Sequence, residues 1–163
     1  MIRQATAEDA AAIASVQIAS WNETYPGLLP DDFIAERTYE KSLLQWNGVL
    51  RGPHGVFIYE LDKEIVGFVD SGPIKQVHLP YPGELYALHV LGKYHKQGIG
   101  KILFEHAKTR LVDSHLFPFI ALVLTGNPAL AFYQKMGATI IGEQFAQYRE
   151  TFIRDIQLGW GVA

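Results

Sequence analysis

The chain predicts a mixed α/β fold built around one sheet. Three observations carry that reading. Strand-length apolar runs and helical periodicities follow one another in the order β-α-α-β-β-β-α-β-α-β-β. The three central strands come without helices between them, so the strict alternation of a doubly wound fold is missing. A turn punctuated by Gly98 and Gly100 then joins a strand to an amphipathic helix.

Each element has a local cause. Ile2 to Ala5 reads as a short strand, and Thr6 with Asp9 three residues on forms a helix-start signal. Ala10, Ile13, Ala14, Gln17, Ile18 and Trp21 then mark one face of a helix, which Tyr25-Pro26-Gly27 breaks. Pro30-Asp31-Asp32 opens a second helical region extending to about Leu50, with acids in its first turn. Gly55–Glu60 and Ile65–Ser71 are apolar runs joined by Leu61-Asp62-Lys63-Glu64, a hairpin pattern. Gly72 to Gly83 holds three prolines and reads as a loop. Glu84 to Val90 alternates as a strand does.

Ile99 to about His115 is a helix with Leu103, Ala107 and Leu111 in one row. Phe119 to Leu124 is uniformly apolar, as in a strand covered on both faces. Asn127-Pro128 begins a short helix and Gly137 ends it. Thr139–Ala146 and Thr151–Trp160 are the last strands; in the second, Phe152, Ile156, Leu158 and Trp160 share one face.

Composition excludes several function classes. At 163 residues the chain suits one domain, residues 1–163, with a single core. A net charge of −3 offers no basic footprint for nucleic acid. With no cysteine, disulfides, thiolate catalysis and thiolate metal sites are impossible. The six histidines are scattered without ligand spacing, so no metal is expected. Met1-Ile2-Arg3-Gln4 starts a strand rather than a signal peptide, and no apolar run is long enough to span a membrane. The expected location is the cytoplasm.

Chemistry concentrates in Tyr94-His95-Lys96-Gln97-Gly98-Ile99-Gly100-Lys101. Glycines permit a tight curl because they lack Cβ, and the curl falls at a helix N-terminus. There, backbone N–H groups lack intrahelical partners and the helix dipole favours an anion such as a pyrophosphate. Lys96 and Lys101 add positive charge. The pattern is no Walker loop, since Ile102 follows Gly100-Lys101 where Ser or Thr is needed. Nor is it a dinucleotide fingerprint, whose third glycine would fall at Leu103. On the loop alone, a plain strand-to-helix turn is an equal reading.

That loop follows a Glu84-Leu85-Tyr86-Ala87-Leu88-His89-Val90 strand, and Asn127-Pro128-Ala129-Leu130-Ala131-Phe132-Tyr133-Gln134-Lys135-Met136-Gly137 lies farther on. Together with the element order, these residues resemble the GNAT family of acetyl-CoA-dependent N-acetyltransferases over essentially the whole chain. The family's pyrophosphate motif is Arg/Gln-x-x-Gly-x-Gly/Ala; this chain departs at its first position, where His95 stands. The resemblance implies a mostly antiparallel sheet of about seven strands, flanked by helices and splayed at the cofactor site. It implies acetyl-CoA as co-substrate and, often, a homodimer.

Carried over position by position, the resemblance sets Leu88, His89 and Val90 on the strand that offers main-chain groups to the acetyl and pantetheine moieties. His95, Lys96, Gln97, Gly98, Ile99, Gly100 and Lys101 would wrap the pyrophosphate. Asn127 would bond the cofactor, Tyr133 would be the general acid, and Glu84 the general base. Trp21, Tyr25 and Tyr81 lie where members build the amine pocket.

The chemistry implied is direct attack of an amine on a thioester. A carboxylate takes the amine proton, a backbone N–H such as that of Leu88 stabilises the oxyanion, and a phenol protonates the departing thiolate. Without cysteine, no enzyme thioester can form. Each residue also has a structural alternative. Tyr133 can be a core ring, Asn127 a helix cap, Glu84 a solvated strand end, His89 a hydrogen-bonded core residue, and Trp21 and Tyr25 helix-end packing. The expected activity is acetylation of a small-molecule amine or a peptide N-terminus. The alternative is a catalytically inactive acyl-CoA-binding sensor or interaction module.

Overall fold

The computed structural model of the protein describes residues 1–162. Seven strands form one sheet in the order β1-β2-β3-β4-β5-β7-β6. They are β1 (Ile2–Gln4), β2 (Gly55–Leu61), β3 (Glu64–Pro73), β4 (Gly83–Val90), β5 (Phe119–Leu124), β6 (Thr139–Tyr148) and β7 (Thr151–Trp160). Five helices accompany them: α1 (Ala10–Thr24), α2 (Asp31–Glu36), α3 (Tyr39–Val49), α4 (Ile99–Asp113) and α5 (Ala129–Lys135). Among the described residues, no helix is long and apolar enough to cross a membrane.

Neighbouring strands run antiparallel except β4 and β5, which are parallel and joined through α4. The β2–β3 hairpin turns on Asp62 and Lys63, both left-handed at φ 48° and 67°. Positive φ at both central residues matches the twist of the strands they join.

The core has two layers. On one face of the sheet, Leu103, Ala107 and Leu111 of α4 pack with Val66, Val69, Leu85 and Phe119, all nearly sealed from solvent. On the other, Ile13 and Ala14 of α1 and Trp46 of α3 cover Ile58 and Phe68. Gln17 is buried here too, and its Oε1 accepts the Trp46 indole N–H at 2.8 Å. A buried amide without such a partner would be unfavourable.

Two expectations need correction. The helical region from Pro30 to Leu50 is two helices, not one. It breaks at Arg37, which is extended (φ −85°, ψ 91°), and Thr38 caps α3 by accepting the Lys41 N–H at 3.2 Å. Phe152 does share the face of Ile156, Leu158 and Trp160, yet it is 69% exposed. At the tip of the β6–β7 hairpin α2 meets the opposite face, that of Tyr148, and leaves the face of Phe152 to solvent.

The feature that positions the site is a fork. Parallel pairing of β4 with β5 holds only at Gly83–Phe119 and Glu84–Ile120. Beyond those pairs the strands diverge. Next to the fork β3 and β4 shift register, so that Tyr86 is an extra residue between the Asp70–Ala87 and Ser71–Leu85 pairs. Such a bulge bends its strand and increases the local twist, which turns β4 away from β5.

Candidate active site

The open side of the fork is lined by main chain of β4 that makes no pairing with β5. The Leu91 N–H bonds the Val66 carbonyl of β3 at 2.9 Å. Antiparallel alternation then directs the N–H and C=O groups of Leu88 and Val90 away from β3, into the fork. His89, between them, projects its side chain toward α1, where Nδ1 lies 2.9 Å from the Ser20 hydroxyl. Burial, aided by the Arg37 charge, lowers the His89 pKa to about 4, so the imidazole is neutral.

Beyond Val90 the chain makes a short turn and enters α4. Lys96 and Gly98 adopt positive φ, 61° and 83°. The first bond of the α4 ladder runs from the Ile102 N–H to the Gly98 carbonyl at 3.1 Å, leaving the amides before it out of the helix. A Cβ at Gly98 would meet nothing within 4 Å, so the loop faces open space. Lys96, Gln97 and Lys101 are exposed around it. This cradle of free amides at a helix start fits a pyrophosphate. His95 contributes more than main chain: its Nε2 donates to the Val90 carbonyl at 2.7 Å and ties the loop to the end of β4.

Helix α5 closes the other side. A Cβ at Gly100 would lie 3.4 Å from the Phe132 ring and 3.9 Å from Leu88, so the α4 start, α5 and β4 converge. Asn127 caps α5, its Oδ1 accepting the Ala129 N–H at 2.9 Å. Tyr133 is buried, its ring edge-on to Trp160. Its hydroxyl has no hydrogen-bond partner among the described residues. Burial first, and the neighbouring Tyr25 second, push its pKa well above the ordinary phenol value. Tyr133 is therefore a protonated donor at any physiological pH.

Tyr25 connects the two faces of the fork. Burial and Asp155 raise its pKa, while the adjoining Asn127 amide and Arg37 pull it back. Its ring lies 4.4 Å from Trp21, and Trp21 stacks on Phe33 of α2 at 6.3 Å. Phe33 in turn meets Tyr148 of β6 edge-on at 4.7 Å. The hairpin tip is held to α2 by Tyr148 on Glu36 and by Arg149 on Asp32. Aromatic rings and a clasp of charges thus run from α1 across α2 to the tip of the β6–β7 hairpin.

The expected site residues fall into two groups. Leu88, His89, Val90, the 95–101 loop, Asn127, Tyr133, Trp21 and Tyr25 gather around the fork. Glu84 stands at its closed apex, buried, with Oε1 accepting the Lys75 N–H at 2.9 Å. No contact joins it to Tyr133 among the described residues. Tyr81 is half-buried in the 74–82 loop and, among the described residues, makes no ring contact or hydrogen bond with Trp21 or Tyr25. Sequence reasoning missed Phe33, Arg37, Tyr148 and Asp155. No local pattern singles them out; Tyr148 and Glu36 are 112 residues apart. No cluster able to hold a metal ion occurs among the described residues.

Comparison with known proteins agrees with this arrangement. The model of the acetyltransferase (GNAT) family matches residues 17–138, and the chain belongs to that family. It is 29% identical over 160 residues to YuaI of Bacillus subtilis (strain 168), described as an uncharacterized N-acetyltransferase, covering 98% of this chain and 91% of that one. Its fold matches PaiA N-acetyltransferase of Thermoplasma acidophilum, solved with coenzyme A, at a TM-score of 0.72 and 20% identity, covering 98% and 96% of the two chains. It also matches yncA of Salmonella typhimurium, solved with its cofactor acetyl-CoA, at a TM-score of 0.75 and 15% identity, covering 98% and 92%.

Proposed function

We propose that the protein transfers the acetyl group of acetyl-CoA to the primary amine of a small molecule or peptide N-terminus, by direct attack in a ternary complex. The observation that carries this reading is the position of Tyr133. Its phenol, without a hydrogen bond among the described residues, is carried by α5, whose neighbouring Phe132 meets the α4 start and Leu88 of β4 beside the free amides around Gly98.

Each provision of the reaction has a residue. The amides from Gly98 to Lys101 hold the diphosphate. The N–H of Leu88 or Val90 bonds the thioester oxygen and stabilises the oxyanion that develops there. The acceptor amine enters from the Trp21–Tyr25 side and must lose a proton, since a free alkylamine has a pKa of about 10. Glu84 takes that proton at the fork's apex, through water. Tyr133 donates to the sulfur as the C–S bond breaks. Asn127 fixes α5, and with it Tyr133.

The test is thiol release from acetyl-CoA across a panel of amines, with Tyr133→Phe alongside. Turnover that falls about 100-fold in the variant supports the assignment. Coenzyme A binding with no turnover of any amine would favour the alternative, an acyl-CoA sensor.

A further inference from the structure

We propose that the acceptor is a zwitterion, a free amino acid or close relative, whose carboxylate is received by the Arg37 guanidinium. This rests on the acetyl-transfer reading and narrows its substrate class.

Arg37 occupies the break between α2 and α3, half-buried. Its guanidinium lies over the Trp21 ring, 5.3 Å from the centroid, and one nitrogen donates to Gln45 Oε1 at 2.9 Å. No carboxylate comes within ion-pair distance of it among the described residues. Of the acids close in sequence, Asp32 and Glu36 both face Arg149, and Glu40 is exposed without an ion pair among the described residues. A partly buried cation with one neutral partner is incompletely compensated. The guanidinium presents a planar fork of donors, the geometry that a carboxylate accepts in two parallel bonds.

Its place in the molecule matters as much as its charge. Arg37 acts electrostatically on Tyr25 and on His89, two groups that border the fork. Across Tyr25 stands Asp155 of β7, half-buried and likewise without an ion-pair partner among the described residues. Register puts Asp155 on the α1 side of β7, the face opposite Ile156 and Leu158, with Tyr148 of β6 on the same face. An unpaired cation and an unpaired carboxylate therefore both act on one phenol, beside the Trp21 ring that Arg37 overlies. That set complements a molecule carrying a carboxylate near its amine, with an apolar substituent against the rings. A polyamine would bring like charge to Arg37. A peptide N-terminus would bring no carboxylate beside its amine.

The experiment measures thiol release with the free amino acids and with their amides, which keep the amine and side chain but lose the carboxylate charge. The expected result is a kcat/KM about 30-fold higher for a free acid than for its amide. In Arg37→Ala that ratio falls toward 1, chiefly through KM, and Arg37→Lys restores part of it. Amides used as well as acids, or a preference that survives Arg37→Ala, overturns the proposal. Circular dichroism confirms that each variant folds. A second measurement separates this idea from the one beneath it. Titration calorimetry of the amino acids into coenzyme A-loaded protein reads binding without chemistry. Binding that is lost in Arg37→Ala upholds the carboxylate site even where no acetyl transfer occurs. Absence of amino-acid binding sinks it.

Discussion

The ring of Tyr133 meets that of Trp160 edge to face, with centroids 5.7 Å apart and planes at 82°. Trp160 is itself fixed, its indole N–H donating to the Met136 carbonyl at 3.0 Å. The phenol is therefore held by its ring and leaves its hydroxyl free. Tyr133→Phe keeps that packing, so the melting temperature should stay close to wild type while kcat drops about 100-fold. The pH profile offers a second check. Because the phenol pKa is raised, its proton is present below that value and is lost only far into the alkaline range. No fall in kcat from this group is expected up to pH ~9, where free Tyr would still be protonated as well. A steep loss below that pH would remove Tyr133 from the acid role.

The phosphate cradle makes a different kind of prediction. Gly98→Ala meets no neighbouring atom, so its effect is through backbone conformation alone, at φ 83°. Left-handed backbone disfavours a Cβ by about 1–2 kcal/mol, and coenzyme A affinity should fall about tenfold with the fold retained. Gly100→Val behaves otherwise. Its side chain would press on Phe132, adjacent to Tyr133, so both affinity and kcat should suffer. Calorimetric titration with coenzyme A and steady-state rates distinguish the two variants.

His89 predicts a pH window for stability. Its folded pKa of about 4 lies below the ordinary ~6.5, so the unfolded chain binds the proton first as pH falls. The stabilisation is fully present above pH ~6.5 and is lost progressively down to about 4, to a total of about 3 kcal/mol. His89→Gln, which can still bond Ser20, should flatten the urea-unfolding free energy across that interval. An unchanged slope would show that other groups dominate acid unfolding.

The clasp between α2 and the β6–β7 tip is built from exposed charges, which contribute about 0–1 kcal/mol each and are screened by salt. Arg149→Ala should therefore leave global stability nearly intact. It should raise KM for the acceptor by loosening Phe33 and Tyr148. Wild-type KM should rise with ionic strength, and the variant's should respond less.

Within the core, Leu111 is fully buried beneath the sheet on α4. Leu111→Ala should lower the unfolding free energy by about 2–5 kcal/mol, measurable in denaturant.

Much of this architecture was legible in the residues because its causes are local. Asp62-Lys63 turns a hairpin through backbone preference. Asn127 with Gly137 brackets α5, and the Leu103–Ala107–Leu111 row announces a buried helix face. The Gly98–Gly100 turn was readable for the same reason. The break at Arg37 escaped because neither Gly nor Pro marks it; a threonine cap inside a polar run ends one helix and starts the next. The exposed Phe152 escaped because strand alternation gives a face, not what covers it. Arg37 and Asp155 escaped for a deeper reason. Their meaning lies in the partners they do not have, and only the assembled fold shows which acids are already engaged.

The sheet order places β7 between β5 and β6 rather than beside β6 alone, although it follows both in the chain. During synthesis β5 therefore waits with one bare rim until residues 151–160 leave the ribosome. Loss of those residues would expose an inner seam of main-chain donors and acceptors to other chains, so deletion of β7 should yield insoluble protein rather than a shorter soluble one.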